Sequence, residues 1–293
     1  MEYNEEIIVA PLESRDIWIF STKTRQWRSI PLNKYDYCTN KTYFRNMFMC
    51  GDVIVFAGGY YPALVTLKPE KNKIEYITNI FSDRLDLPTD LFFRSRPIEI
   101  DNTLYFASCK DNSILKLNKS DFDYEWIPVG KEGNRYSGIA YDGHCFLLSP
   151  RKNTSIVKWD GYKCSELEIP SYINRLNDTY SGIVETQEGF LTIAVPGNHF
   201  GSIILDKNEQ IHITNNKYTM YKRFDSGAYI FQTDDGKVTY CDSYKQMYKF
   251  DLNMDKDHFY RLWIESELDR KELTSEVFNE GESISFQTWI KLI

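Results

Sequence analysis

Five dipeptides of one kind recur along this 293-residue chain: Phe44-Arg45, Phe93-Arg94, Tyr136-Ser137, Tyr180-Ser181 and Tyr221-Lys222. Each sets an aromatic ring before a polar or basic group. Guanidinium forks beside aromatic faces suit planar anions, because paired N–H groups match the oxygens of a carboxylate or phosphate and the ring face attracts the cation. Arg45, Arg94, Ser137, Ser181 and Lys222 are therefore candidate ligand-binding residues. Segments that follow apolar runs add Tyr60, Tyr61, Arg151 and His199 to the set, with Lys110, Lys152 and Phe200 nearby. Two blander uses fit the same residues: the aromatics as wedges between packed sheets, and the charges as an ordinary solvated rim.

Signals for catalysis are weak. The four histidines, His144, His199, His212 and His258, form no i, i+4 pair, and no Cys/His cluster has zinc-like spacing. A Gly-x-Ser-x-Gly nucleophile elbow and a phosphate-binding Gly-Lys-Ser/Thr loop are both absent. The sequence thus identifies no catalytic residue and leads us to expect no metal and no cofactor. Asp234-Asp235-Gly236 reads as a hairpin turn, since no spaced set of oxygen ligands follows it. The six cysteines are scattered without a Cys-x-x-Cys pair and read as structural thiols of a reducing compartment.

The elements that must hold these candidates repeat as well. Tyr136-Ser137-Gly138-Ile139 returns as Tyr180-Ser181-Gly182-Ile183, and apolar second strands begin near Ile7, Val53, Thr103, Cys145, Phe190 and Tyr229. A period of roughly 40 to 50 residues, built from short strands and turns, is that of β-propeller blades. The unit from Tyr136 to Pro170 is the clearest, with Asp142-Gly143 and Gly161-Tyr162 as turns between apolar runs. The pattern predicts an all-β, six-bladed β-propeller of four-stranded antiparallel blades over residues 1–264. Only three strands are legible in the first unit, so residues 258–264 are expected to supply its inner strand. Residues 265–293 are expected to form a short helical tail packed on the propeller. In such a fold the segment leading into each first strand and the loop joining the second and third strands share one face, around the channel mouth. That face would gather the candidate residues.

Thr24-x-x-Trp27-x-x-x-Pro31, Trp126-x-Pro128 and the pair Gly58-Gly59 after a second strand resemble kelch repeats. The resemblance covers most of the chain as architecture and implies a propeller; it carries over no functional residue.

Composition narrows the function. Forty-two acidic against 35 basic residues give a net charge of −7, which excludes a general affinity for nucleic acid or an anionic membrane. The first six residues are acidic where a secretory signal would be basic, and the apolar stretch from Ile7 to Leu12 is too short to span a bilayer. A cytoplasmic monomer is the expectation. The leading functional reading is a non-catalytic recognition module that takes a small anionic or saccharide-like ligand, or a peptide, at the channel mouth. The alternatives are an enzyme of epimerase, lyase or cyclase type with an axial active site, acting on a sugar or amino-acid derivative, and a protein-interaction scaffold. The scaffold reading rests on Phe286, Trp289, Ile290 and Ile293, which share one helical face.

Overall fold

The computed structural model describes residues 2–9, 16–21, 23–24, 26–32, 43–85, 91–151, 155–170, 180–185, 189–194, 203–213, 218–223, 229–233, 238–241 and 247–250, the last four segments as backbone. Among these residues, 24 strands form six four-stranded sheets. The first sheet holds β1 (Glu2–Tyr3), β2 (Glu6–Val9), β3 (Asp16–Ser21) and β4 (Gln26–Pro31). The second holds β5 (Asn46–Cys50), β6 (Val53–Ala57), β7 (Leu64–Lys68) and β8 (Lys73–Ile77), and the third β9 (Ile98–Ile100), β10 (Thr103–Ala107), β11 (Ser113–Asn118) and β12 (Tyr124–Pro128). The fourth consists of β13 (Tyr136–Tyr141), β14 (Phe146–Pro150), β15 (Ser155–Trp159) and β16 (Cys164–Glu168). The fifth contains β17 (Tyr180–Glu185), β18 (Gly189–Ala194), β19 (Ile203–Asp206) and β20 (Ile211–Ile213), and the sixth β21 (Tyr218–Arg223), β22 (Tyr229–Thr233), β23 (Val238–Cys241) and β24 (Met247–Phe250). Every sheet is an antiparallel meander in chain order. Among the described residues no helix is long and apolar enough to cross a membrane.

The first five sheets are packed face to face in succession, and this explains why their middle strands are apolar without alternation. All five residues of β6 are buried. Ile54 and Phe56 turn to the first sheet, where they meet Ile8, Ile17 and Ile19. Val53, Val55 and Ala57 turn to the third, against Leu104, Phe106 and Leu115. Ile139, Leu148 and Val157 of the fourth sheet share a core with Ala107 and Ile114 of the third, and Ala140, Leu147 and Ile156 share one with Ile183, Ile203 and Leu205 of the fifth. Outer strands carry the charge instead. β8, β12 and β16 are mostly exposed or half-buried and bear Lys73, Glu75, Glu125, Glu166 and Glu168. Charges and terminal prolines such as Pro31 and Pro128 blunt these edges against pairing with other chains.

The first sheet departs from the sequence expectation. It has a first strand of its own, β1, paired Glu2 to Ile7 and Tyr3 to Glu6. The connecting residues Asn4 and Glu5 both have positive φ, 46° and 60°, as a tight I′-type hairpin turn requires. Two paired residues and a Glu in a position usually taken by Gly leave no readable signal, so the strand was missed. Residues 258–264, expected in that role, lie outside the described residues, as does the expected helical tail 265–293.

Close approach at the centre explains the repeated Tyr-Ser-Gly. A Cβ on Gly138 would stand 2.7 Å from Gly182 Cα and 2.9 Å from Ile183 N. The inner strands β13 and β17 therefore touch backbone to backbone, which only glycine allows. Both strands also bulge at the intervening serine, the register slipping between Tyr136 and Gly138 and between Tyr180 and Gly182.

Candidate functional site

A four-strand meander fixes which residues share an end. First strands all start at one end, so the loops between second and third strands lie there too, while the first and third turns of each sheet lie at the other. The first of these, called here the mouth end, carries residues 43–45 before β5, 58–63 after β6, 91–97 before β9, 108–112 after β10, 129–135 before β13 and Arg151 after β14.

Backbone hydrogen bonds stitch the loops after β6 and β10 to the start of the following sheet, and a third ties the loop after β10 to the segment before β9 of its own sheet. Phe92 N donates to Gly59 O at 2.9 Å, Cys109 N to Phe92 O at 3.0 Å and Tyr136 N to Ser108 O at 2.8 Å. Gly58, with φ +97°, makes the tightest of these seams possible. A Cβ there would fall 2.6 Å from Asn46 Nδ2, 3.1 Å from Phe93 O and 3.3 Å from Arg45 Cβ. Arg45, Asn46 and the Phe93-Arg94 segment thus converge over one glycine, at the seam between the second and third sheets.

The basic side chains at this end are partly or largely buried. Arg45, Arg94 and Arg96 are partly exposed, whereas Lys110 is 7% and Arg151 8% exposed. Lys110 Nζ stands 4.5 Å from the centre of the Phe92 ring, a cation held on an aromatic face. Asp111, a carboxylate on the same end, is taken up by an ion pair with Arg84. Arg84 lies 3.8 Å over the Trp126 ring and donates to Ser113 Oγ at 3.1 Å; burial lowers its pKa from the ordinary arginine value.

The opposite end is acidic, and there the carboxylates close turns. Asp160 Oδ1 accepts from Tyr162 N and Lys163 N at 2.8 and 2.6 Å, and Asp142 Oδ1 from His144 N and Cys145 N at 2.8 and 2.6 Å. Asp206 Oδ1 accepts from Asn208 N and Gln210 N at 2.8 and 2.9 Å. Backbone N–H donors lower the pKa of Asp160 and Asp206, so both stay ionised. Among the described residues, Arg45, Arg94, Arg96, Lys110 and Arg151 lie at one end and the turn-closing carboxylates of Asp142, Asp160 and Asp206 at the other.

The nine candidate residues fare differently. Arg45 Cβ and the carbonyl of Phe93, the residue before Arg94, meet at the Gly58 seam, and Tyr60 is partly exposed on the adjoining loop. Tyr61 belongs to the core: it is 1% exposed, with ring centres of Tyr43, Phe44 and Tyr76 at 5.6, 5.2 and 6.3 Å. Ser137 is likewise structural. Its hydroxyl lies 2.9 Å from Ser149 Oγ and donates to Pro150 O at 3.1 Å, so its one donor is used within the blade. Arg151 is at the mouth end but buried, and its backbone N donates to Arg135 O at 2.9 Å. Ser181 occupies the bulge of β17, matching Ser137. His199 lies outside the described residues.

Lys222 requires a correction. β21 begins at Tyr218, which pairs with Thr233, and Lys222 pairs with Ile230 toward the far end of the strand. Counted from the strand start, Tyr218-Thr219 stands where Tyr136-Ser137 does, while β21 bulges at Tyr221, its fourth residue, and β13 at its second. The aromatics Tyr136 and Tyr180 are wedges, 0% and 1% exposed. Tyr136 donates its hydroxyl to Val129 O, and burial raises its pKa. Sequence reading also missed Arg96 and Asn46. Arg-x-Arg immediately before Pro97 is a signal that would have pointed to Arg96; nothing in the sequence marks Asn46.

Among the described residues no three His, Cys, Asp or Glu side chains are grouped as a bound metal would need. No known family and no curated protein matches this chain in sequence. Solved structures do resemble it. A catalytically inactive variant of virginiamycin B lyase from Staphylococcus aureus, with quinupristin, superposes with a TM-score of 0.52 at 11% identity, over 85% of this chain and 82% of that one. BamB from Moraxella catarrhalis gives 0.48 at 12% identity, over 82% and 71%. The fold is a β-propeller. At these identities the likeness concerns architecture alone, and each four-stranded sheet is a blade.

Proposed function

We propose that this propeller is a recognition module that takes a small anionic or saccharide-like ligand, or a peptide bearing such groups, on its mouth end. The observation that carries the reading is the convergence of Arg45 and the Phe93-Arg94 segment over Gly58. Arg96 follows two residues later, and Lys110 is held against Phe92 nearby. Guanidinium groups on a rigid, stitched backbone lose little freedom on binding and donate paired N–H groups to carboxylate or phosphate oxygens. The aspartates that close turns at the opposite end favour an anion's approach to the mouth end over theirs. Kelch-type repeats, a monomeric state and a cytoplasmic setting are parts of this reading that rest on the sequence.

The test is the double variant Arg45→Ala/Arg94→Ala, titrated calorimetrically against a panel of sugar acids, phosphorylated metabolites and acidic peptides. Binding seen with the wild type is expected to vanish, with the melting temperature as the check on folding, since Nε of both side chains is buried. Affinity equal to wild type would remove the mouth end from consideration.

A further inference from the structure

A cleft of about 280 Å³ lies between the outer strands of the second and third blades. Thr66, Glu75 and Ile77 line it from one blade, and Asp121, Phe122 and Asp123 from the last turn of the other. Thr66 is the residue out of place. It is 5% exposed and stands two positions after Leu64, on the face that β7 turns to the third blade. It lies opposite Val55 and Glu75 in the ladder, and its hydroxyl bonds to no described residue. A buried hydroxyl without a partner is costly, and valine would fill the same position at no such cost, so the oxygen has another use.

The carboxylates around it differ in what they have left to offer. Glu75 is paired with Lys73 Nζ at 2.5 Å. Asp121 Oδ1 accepts from Asp123 N at 3.0 Å, which leaves Oδ2, and the carboxylate of Asp123 joins no ion pair among the described residues. Phe122 stands between the two aspartates with φ +62°, a conformation a bulky side chain rarely takes, and its half-buried ring packs on the core beneath.

We propose that this cleft binds an alkylammonium group, the amine of a lysine side chain or of a free diamine. An ammonium carries three N–H donors and no acceptor. Thr66 Oγ1 and the carboxylates of Asp121 and Asp123 are acceptors to match it. Ile77 and Phe122 receive the methylene stem, and the aromatic faces of Phe122 and Tyr124 attract the cation. The carboxylates turn an anion away, and a neutral alcohol gains little from them. The volume falls just below the ~300–1,000 Å³ of sites for larger ligands, which suits one unbranched chain. The cleft shares no residue with the mouth-end group, so the proposal stands independently of the anion-binding reading.

The full chain is titrated calorimetrically with putrescine, with Nα-acetyl-L-lysine N-methylamide, and with the neutral diol of putrescine's chain length. At least one amine is expected to bind at millimolar concentration while the diol does not, and the tighter amine names the source. Thr66→Val is expected to weaken amine binding by about five-fold, the effect of one lost hydrogen bond, and Thr66→Ser to retain it. Asp123→Asn is expected to cost about ten-fold, whereas Glu132→Gln, which removes an exposed carboxylate outside the cleft, leaves the affinity unchanged. Melting temperature checks the folding of each variant; should Thr66→Val melt early, Asp123→Asn, at an exposed position, decides alone. The proposal is overturned if neither amine binds, if the diol binds as tightly as putrescine, if a stably folded Thr66→Val binds like wild type, or if Glu132→Gln weakens binding as much as Asp123→Asn.

Discussion

Replacing Gly138 by alanine tests whether the contact between inner strands is what the repeated Tyr-Ser-Gly encodes. The added Cβ would stand 2.7 Å from Gly182 Cα, 2.9 Å from Ile183 N and 3.0 Å from Ser149 Oγ. Two of those three atoms are backbone of the next blade and cannot swing aside. Relief requires the fourth and fifth blades to part by several tenths of an ångström at the position where their inner strands meet. Gly138 does not have a left-handed φ, so alanine brings no backbone strain. By restricting the unfolded chain it contributes about 0.4–1 kcal/mol of stability. Overpacking of a tight site costs about 1–3 kcal/mol, and a clash with backbone belongs at the upper end. The net expectation is a loss of about 2 kcal/mol. At roughly 2–4 °C per kcal/mol for a chain of this size, the melting temperature falls by about 4–8 °C in scanning calorimetry. Gly143→Ala is the control with the opposite cause: its φ is +95° and nothing lies within 4 Å of the new Cβ, so only backbone strain acts. A Gly138→Ala protein that melts at or above the wild-type temperature would refute the close approach of β13 to β17 and, with it, the explanation of the repeat.

Arg84→Lys keeps the charge beside Asp111 but loses the planar group over Trp126 and the bond to Ser113; a loss of about 1–2 kcal/mol and a shift in tryptophan emission are expected, and unchanged emission would count against the stacking. Glu166 accepts from Lys131 N at 3.0 Å and Asn134 Nδ2 at 3.1 Å, and pairs with Lys131 Nζ at 2.7 Å. Burial alone would raise its pKa, but the bonds from Lys131 and Asn134 together bring it below the ordinary value. A lowered carboxylate pKa contributes stability above the unfolded-state value and loses it as pH falls through the folded one. Glu166→Gln should therefore melt below wild type near neutral pH, by about 1–2 kcal/mol in stability, with the gap closing under acid; a gap independent of pH down to 3 would contradict the assignment.

How far the sequence reaches can be judged residue by residue. The blade period, the Asp-Gly and Gly-Tyr turns and the all-apolar middle strands were legible because they are local. A turn closes on its own residues, and a strand covered on both faces has no polar partner to alternate with. By itself the sequence thus determined an all-β repeat of four-stranded sheets and the end of each sheet on which Arg45, Tyr60 and Arg94 lie. Register was not local. A strand reads the same when shifted, so Tyr221-Lys222 looked like Tyr136-Ser137 until the pairing of Tyr218 with Thr233 placed Lys222 at the far end. Nor could spacing foretell that the hydroxyl of Ser137 is consumed by Ser149 and Pro150, that Tyr61 is core, or that Asn46 is buried without partners. Those outcomes depend on which blade lies against which, and on distances between atoms some 12 to 47 residues apart in the chain, from Ser137 with Ser149 to Asn46 with Phe93. Only the packed structure decides them, because desolvation and hydrogen bonding are properties of a side chain's neighbours in space.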